Sequence, residues 1–193
     1  VGICRSLSAW LTLAGQKLTG VGTSKKFYLE QGGVYYDVTP IRATTTNAAT
    51  FAATNGSTTL TVTDNTHGAA VGDFVTFSSA VSLGGTITAD EYEIATVPSV
   101  NTYTITSSVA ANASDSGNGG SATDAAYQIS IGSDSAVPLN GWSAGTYGEG
   151  TWNNGGSSTV SLRTWTQSNF GEDLIFGPKR GQIFQWDATN GLT

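Results

Sequence analysis

Hydrophobic positions along the chain recur with a period of two wherever a pattern can be read. Between Thr58 and Thr63, Leu60 and Val62 alternate with threonines, and between Asn101 and Thr106 the same is true of Tyr103 and Ile105. A strand sends successive side chains to opposite faces, so each run predicts a strand with one buried and one solvated face. Further strands are predicted over residues 7–13, 25–29, 33–38, 74–77, 91–97, 127–131, 160–165 and 182–186. Nowhere do apolar residues recur at the spacing of an amphipathic helix, and an all-β fold is expected. The step Gly72-Asp73-Phe74-Val75 predicts a tight turn feeding a strand, with glycine at the turn and the aspartate bonding nearby amides. Residues 44–54 and 110–124 are tracts of Ala, Thr, Ser, Asn and Gly that read as loops or linkers.

Composition sharpens this picture. Only 11% of residues are charged, against about 25% in an average soluble domain. Polarity therefore comes from Thr, Ser, Asn and Gly, which suit strands and turns better than solvated helices. The charges that exist are segregated. All eight Lys and Arg residues lie before position 43 or after position 162, and the interval between carries nine acids and no base. Its formal charge is −9, while the two ends together sum to +3. A step this sharp divides the chain into a first host segment (1–43), an inserted module (44–125) and a second host segment (126–193). The module is expected to be a small barrel or sandwich of four or five strands.

The two ends share a faint repeat, Gly33-Val34-Tyr35-Tyr36-Asp37 and Gly181-Gln182-Ile183-Phe184-Gln185-Trp186-Asp187. Removing the 82-residue insertion leaves the two aspartates 68 positions apart, against about 40–50 for a propeller blade. The repeat leaves a propeller-like array open for the host segments.

Candidate chemistry is sparse. Gly141-Trp142-Ser143-Ala144-Gly145 fits the nucleophile-elbow pattern, but its flanks are glycine-rich and the only histidine, His67, precedes the serine. An elbow serine needs a strand before it, a helix after it and a base that follows, so no catalytic residue is assigned and no enzyme is expected. His67 reads as a turn histidine, and one Cys with one His leaves only carboxylates for a metal, so neither metal nor cofactor is assigned. Glu91 and Glu93 share one strand face and read as solvated positions. The 120 residues without a positive charge argue against nucleic-acid binding through phosphates. Cys4 is the only cysteine, which rules out an internal disulfide. No apolar run approaches the ~20 residues of a membrane helix. The absence of Met and the start at Val1 lead us to expect a segment of a longer protein.

Several segments resemble the tail hub or nozzle proteins of short-tailed bacteriophages. They are Gly22-Thr23-Ser24-Lys25-Lys26-Phe27-Tyr28, Tyr36-Asp37-Val38-Thr39-Pro40-Ile41-Arg42, Gly141 to Gly148, Arg163-Thr164-Trp165, Asn169 to Ile175, and Ile183 to Asp187. The resemblance implies a structural virion protein: a homo-oligomeric ring below the portal, in contact with other tail or portal-adaptor proteins and passing DNA without specific binding. Its place would be the phage tail, with no membrane contact. Trp142, Trp152, Trp165, Phe170 and Trp186 are the candidate assembly or packing residues. Trp165, Phe170 and Trp186 are expected to be covered by strands or subunits beyond this segment. The alternative is a carbohydrate-binding or host-adhesion β-module, in which the aromatic cluster stacks on sugar.

Overall fold

The computed structural model describes residues 2–88, 91–119, 123–130 and 164–192. Among them the chain is all-β, with a single 3-10 turn at Ala188–Asn190. In chain order the strands are β1 (Cys4–Leu11), β2 (Lys17–Thr23), β3 (Phe27–Gln31), β4 (Val34–Asp37), β5 (Ile41–Thr45) and β6 (Thr50–Ala53). Then come β7 (Thr59–Thr63), β8 (Phe74–Phe77), β9 (Val81–Leu83), β10 (Thr86–Thr88), β11 (Glu91–Glu93) and β12 (Thr96–Ser99). The last are β13 (Thr102–Thr106), β14 (Asp115–Gly119), β15 (Ala125–Gln128), β16 (Trp165–Phe170), β17 (Asp173–Pro178) and β18 (Phe184–Trp186). The chain divides into two compact units, one comprising Val1–Val38 with Ile131–Thr193 and the other Thr39–Ser130.

In the first unit, β1 to β4 form a four-stranded antiparallel sheet in sequence order, and β16 to β18 a three-stranded one. Register fixes the faces. Trp10 pairs with Leu18, Gly20 with both Ser8 and Leu29, and Gly22 with both Ser6 and Phe27, placing these residues on one face. That face is covered by the matching face of the second sheet, where Gln167 pairs with Phe176 and Phe176 with Phe184. Leu18, Phe27, Leu29, Leu174 and Phe176 are all buried there. Glycine is required at position 22: a Cβ would lie 2.6 Å from the Trp165 ring, so a larger residue would push the sheets apart.

The second unit places a four-stranded sheet (β11-β8-β15-β5) and a five-stranded sheet (β12-β13-β7-β6-β14) around one core, with the β9–β10 hairpin beside them. Alternation is clear: Leu60, Val62, Tyr103 and Ile105 are fully buried, while Thr59, Thr61, Thr63 and Thr106 are exposed. The turn before β8 forms as its sequence suggests, with Asp73 Oδ2 accepting from the Ala70 amide at 2.8 Å.

One expectation needs correction. The tracts at 44–54 and 110–124 are not simple linkers, because β6 and β14 lie within them and pair with each other, Phe51 opposite Asn118 and Ala53 opposite Asp115. Their small residues carry little alternation, yet the pairing buries Phe51 and Ala53 in the core. Among the described residues no propeller or barrel closure is seen. Both sheets of the first unit are open, with β1 and β4 as the edges of one and β16 and β18 of the other.

Candidate assembly surface

The aromatic residues singled out from the sequence separate in space. Trp142 and Trp152, like Ser143, lie outside the described residues. Trp165 is covered by strands of this same chain. Its ring sits 5.0 Å from that of Phe27 and 6.2 Å from that of Phe176, and Nε1 donates to the Thr23 carbonyl at 2.7 Å. Aromatic bulk and a satisfied indole N–H together make it the anchor between the two sheets. Beside it, Gln167 Nε2 donates to Ser6 Oγ at 2.8 Å and to the Gly20 carbonyl at 3.1 Å. Trp186 is half-buried, edge-on to Trp10 at 6.5 Å, with Nε1 donating to the Gly191 carbonyl at 3.1 Å. Next to it, Asp187 caps the 3-10 turn, and hydrogen bonds from the Thr189 hydroxyl and amide hold its carboxyl below the usual range. Phe170 alone of the three stands free at a hairpin tip, 74% exposed.

The outer face of the four-stranded sheet is the feature that sequence reading missed. Leu7, Val21 and Tyr28 lie side by side across β1, β2 and β3, and Ala9, Thr19, Glu30 and Tyr35 form the neighbouring row. Leu7, Leu11 and Tyr35 are each more than 60% exposed. β1 thus presents Leu7 and Leu11 to solvent on one face while Trp10 on the other is buried.

The second unit contains a buried polar cluster. The Asp64 carboxylate is 1% exposed. Its Oδ2 accepts from the Thr45 hydroxyl and, at 2.6 Å, from the Tyr127 phenol. Tyr127 has one proton to give, and the carboxylate is the stronger acceptor. Tyr103, with its oxygen 3.1 Å away, therefore donates to Tyr127. Burial, with the neighbouring phenol and Asp64 adding, pushes Tyr127 far above the ordinary phenol range, and burial with nearby Asp64 does the same to Tyr103. His67 packs on both rings. Its Nδ1 accepts from the Ala69 amide at 3.1 Å, which leaves Nε2 to donate to the Ser99 carbonyl at 3.3 Å. Both imidazole nitrogens are thereby used by backbone, and Arg42 closes the cluster by donating to the His67 carbonyl at 3.2 Å. The arrangement suits orienting a core more than moving protons.

Two further carboxylates also hold structure. Glu91 accepts from Gln128 Nε2 at 2.5 Å, and Asp124 Oδ1 accepts from the Asn47 amide at 2.7 Å. Among the described residues no three His, Cys, Asp or Glu side chains gather as a metal site.

No known family's sequence profile matches the chain, and no curated protein matches it. Among solved structures, the phage phi92 endosialidase is similar, with a TM-score of 0.39 and 22% identity over 65% of this chain and 18% of that one. The chain thus spans less than a fifth of that protein's length.

Proposed function

We propose that this chain is a structural, non-catalytic component of a bacteriophage tail, of the hub or nozzle type, forming part of a homo-oligomeric ring below the portal. The observation that carries the reading is the four-stranded up-and-down sheet whose inner face is already covered by β16–β18 while its outer face exposes Leu7, Leu11 and Tyr35 among polar neighbours. Propeller blades are four-stranded sheets of this kind, and large apolar side chains exposed on the second face favour a covering neighbour. In this reading the 1–43 and 126–193 segments supply blade-like elements and the acidic sandwich between them is an insertion. That second unit carries one base and seven acids, so it would repel a passing DNA duplex and keep it from sticking. Other tail or portal-adaptor proteins would be the ring's partners, in the virion. Sedimentation velocity across a concentration series tests the ring. Species that are regular multiples of the chain support it, and a strict monomer opposes it.

One observation favours the alternative, host adhesion through the inserted module. The solvent face of its five-stranded sheet is a field of hydroxyls: Thr61 pairs with Thr104, Thr63 with Thr102 and Thr59 with Thr106. Thr96 and Thr104 are joined Oγ1 to Oγ1 at 2.7 Å. An uncharged hydroxyl surface complements a neutral glycan. Binding of the chain to a panel of neutral polysaccharides, lost on Thr61→Lys, would favour this reading.

A further inference from the structure

A cavity of about 320 Å³ opens in the first unit between the β1–β2 turn and the 3-10 turn that follows β18. Leu18 and Trp186 give it an apolar wall, and Thr12, Gln16 and Glu172 supply polar groups. Small-molecule sites share this make-up, mostly apolar with a few placed polar groups, and span about 300–1,000 Å³, so this one has room for a single ring.

The two principal side chains are fixed before any ligand arrives. The Trp186 indole N–H donates to the Gly191 carbonyl at 3.1 Å, and the ring lies 6.5 Å from that of Trp10, edge to face. With its only polar hydrogen committed, the indole offers the cavity ring carbon alone. Glu172 is held twice: its carbonyl accepts from the Trp10 indole at 3.1 Å, and its Oε1 accepts from the Leu13 amide at 2.5 Å. Its Oε2 is left to accept from a ligand. Gln16 is exposed, and its side-chain amide adds donors and an acceptor. Thr12 Oγ1 accepts from the Gln16 backbone amide at 3.1 Å, so its hydroxyl hydrogen is left to donate.

This combination selects among ligands. An aromatic wall suits the C–H face of a sugar ring, while a carboxylate oxygen, a primary amide and a hydroxyl suit groups that both donate and accept. An anionic ligand would meet Glu172 with no cation in the lining to offset it. A quaternary ammonium would find one aromatic wall instead of a cage and would leave Gln16 and Thr12 without partners. A purely apolar ligand would cover the carboxylate without pairing it.

We propose that this cavity binds one neutral pyranose residue, its C–H face on Trp186 and its hydroxyls on Glu172 and Gln16. The site belongs to the first unit, apart from the hydroxyl face of the second, and goes beyond the ring reading without depending on it.

Nuclear magnetic resonance of the isotope-labelled 193-residue chain tests it, with the Trp186 indole N–H signal, identified by its loss in Trp186→Phe, as the reporter. Titration with methyl glucoside, methyl galactoside, methyl mannoside and N-acetylglucosamine is expected to move that signal saturably for at least one sugar. Glu172→Gln keeps an acceptor for the Leu13 amide and should weaken binding about tenfold, as loss of a charge-assisted hydrogen bond does. Gln16→Leu, at an exposed position, should weaken it by a similar factor without disturbing the fold. Glucuronate, the same ring with a carboxylate added, should bind about tenfold more weakly than methyl glucoside. Thr61→Lys, on the second unit, should leave the titration unchanged. The assignment is overturned if none of these sugars moves the signal, if Glu172→Gln and Gln16→Leu both bind as the parent does, if glucuronate binds as well as methyl glucoside, or if tetramethylammonium binds more tightly than any sugar. If Thr61→Lys abolishes the response, the sugar sits on the hydroxyl face, and this site falls while the adhesion reading stands.

Discussion

Replacing Trp165 with alanine tests the packing of the first unit most severely. The side chain is 5% exposed, lies over Gly22 between Phe27 and Phe176, and donates its only polar hydrogen to the Thr23 carbonyl. Deleting a buried aromatic of this size typically removes about 3–5 kcal/mol, and the orphaned carbonyl is part of that loss. Domains are stable by about 5–15 kcal/mol, so the unit should become marginal, with a melting shift well above 10 °C. Trp165→Phe separates the terms: it keeps most of the ring and loses only the N–H, for about 1–3 kcal/mol. Amide hydrogen exchange read by mass spectrometry is the assay, because it follows both units without relying on the tryptophan. Peptides from β2, β3 and β17 should lose protection in Trp165→Ala, while those from β7, β13 and β15 keep it. Unchanged protection in β2 and β17 would show that Trp165 does not join the two sheets, and an equal loss throughout would show that the units do not fold separately.

Other expectations follow from particular contacts. Tyr127→Phe removes the phenol that donates to the buried Asp64 carboxylate and should destabilise the second unit by about 1.5–3 kcal/mol in urea unfolding; a change under 0.5 kcal/mol would mean that water satisfies Asp64 instead. Tyr103 and Tyr127 are held above their ordinary value of 10.0, so the folded state retains their protons; stability is complete below pH 10 and falls as pH rises above it. Absorbance at 295 nm should therefore show Tyr103 and Tyr127 ionising only as the second unit unfolds. Limited proteolysis should spare the paired strands β6 and β14, and early cleavage at Phe51 would contradict their pairing.

Strands with full alternation were legible from sequence. Thr59–Thr63 and Thr102–Thr106 form where Leu60, Val62, Tyr103 and Ile105 mark one face. β2 escaped notice because Gly20 and Gly22 occupy its interior and mimic a turn, and only Trp165 and Gln167, more than 140 residues away, explain why glycine is there. β6 and β14 escaped because their Ala, Ser, Thr and Asn residues carry little apolar periodicity and are held by pairing with each other. The Asp64 cluster joins side chains up to 63 positions apart, and nothing local announces that a carboxylate there is buried. The outer apolar face was hidden differently. Leu7, Ala9 and Leu11 alternate as a core face would, and only the structure shows that it is Trp10, on the opposite side, that points to the core.

The central claim is that this chain is built to be covered by its own kind. Sedimentation equilibrium over a wide concentration range, comparing the chain with its Leu7→Lys and Leu11→Lys double variant, tests it most directly. The account requires concentration-dependent association of the 19.8 kDa chain that the two lysines on the outer face abolish. A chain that stays monomeric at every concentration, or a variant that associates as well as its parent, would contradict it.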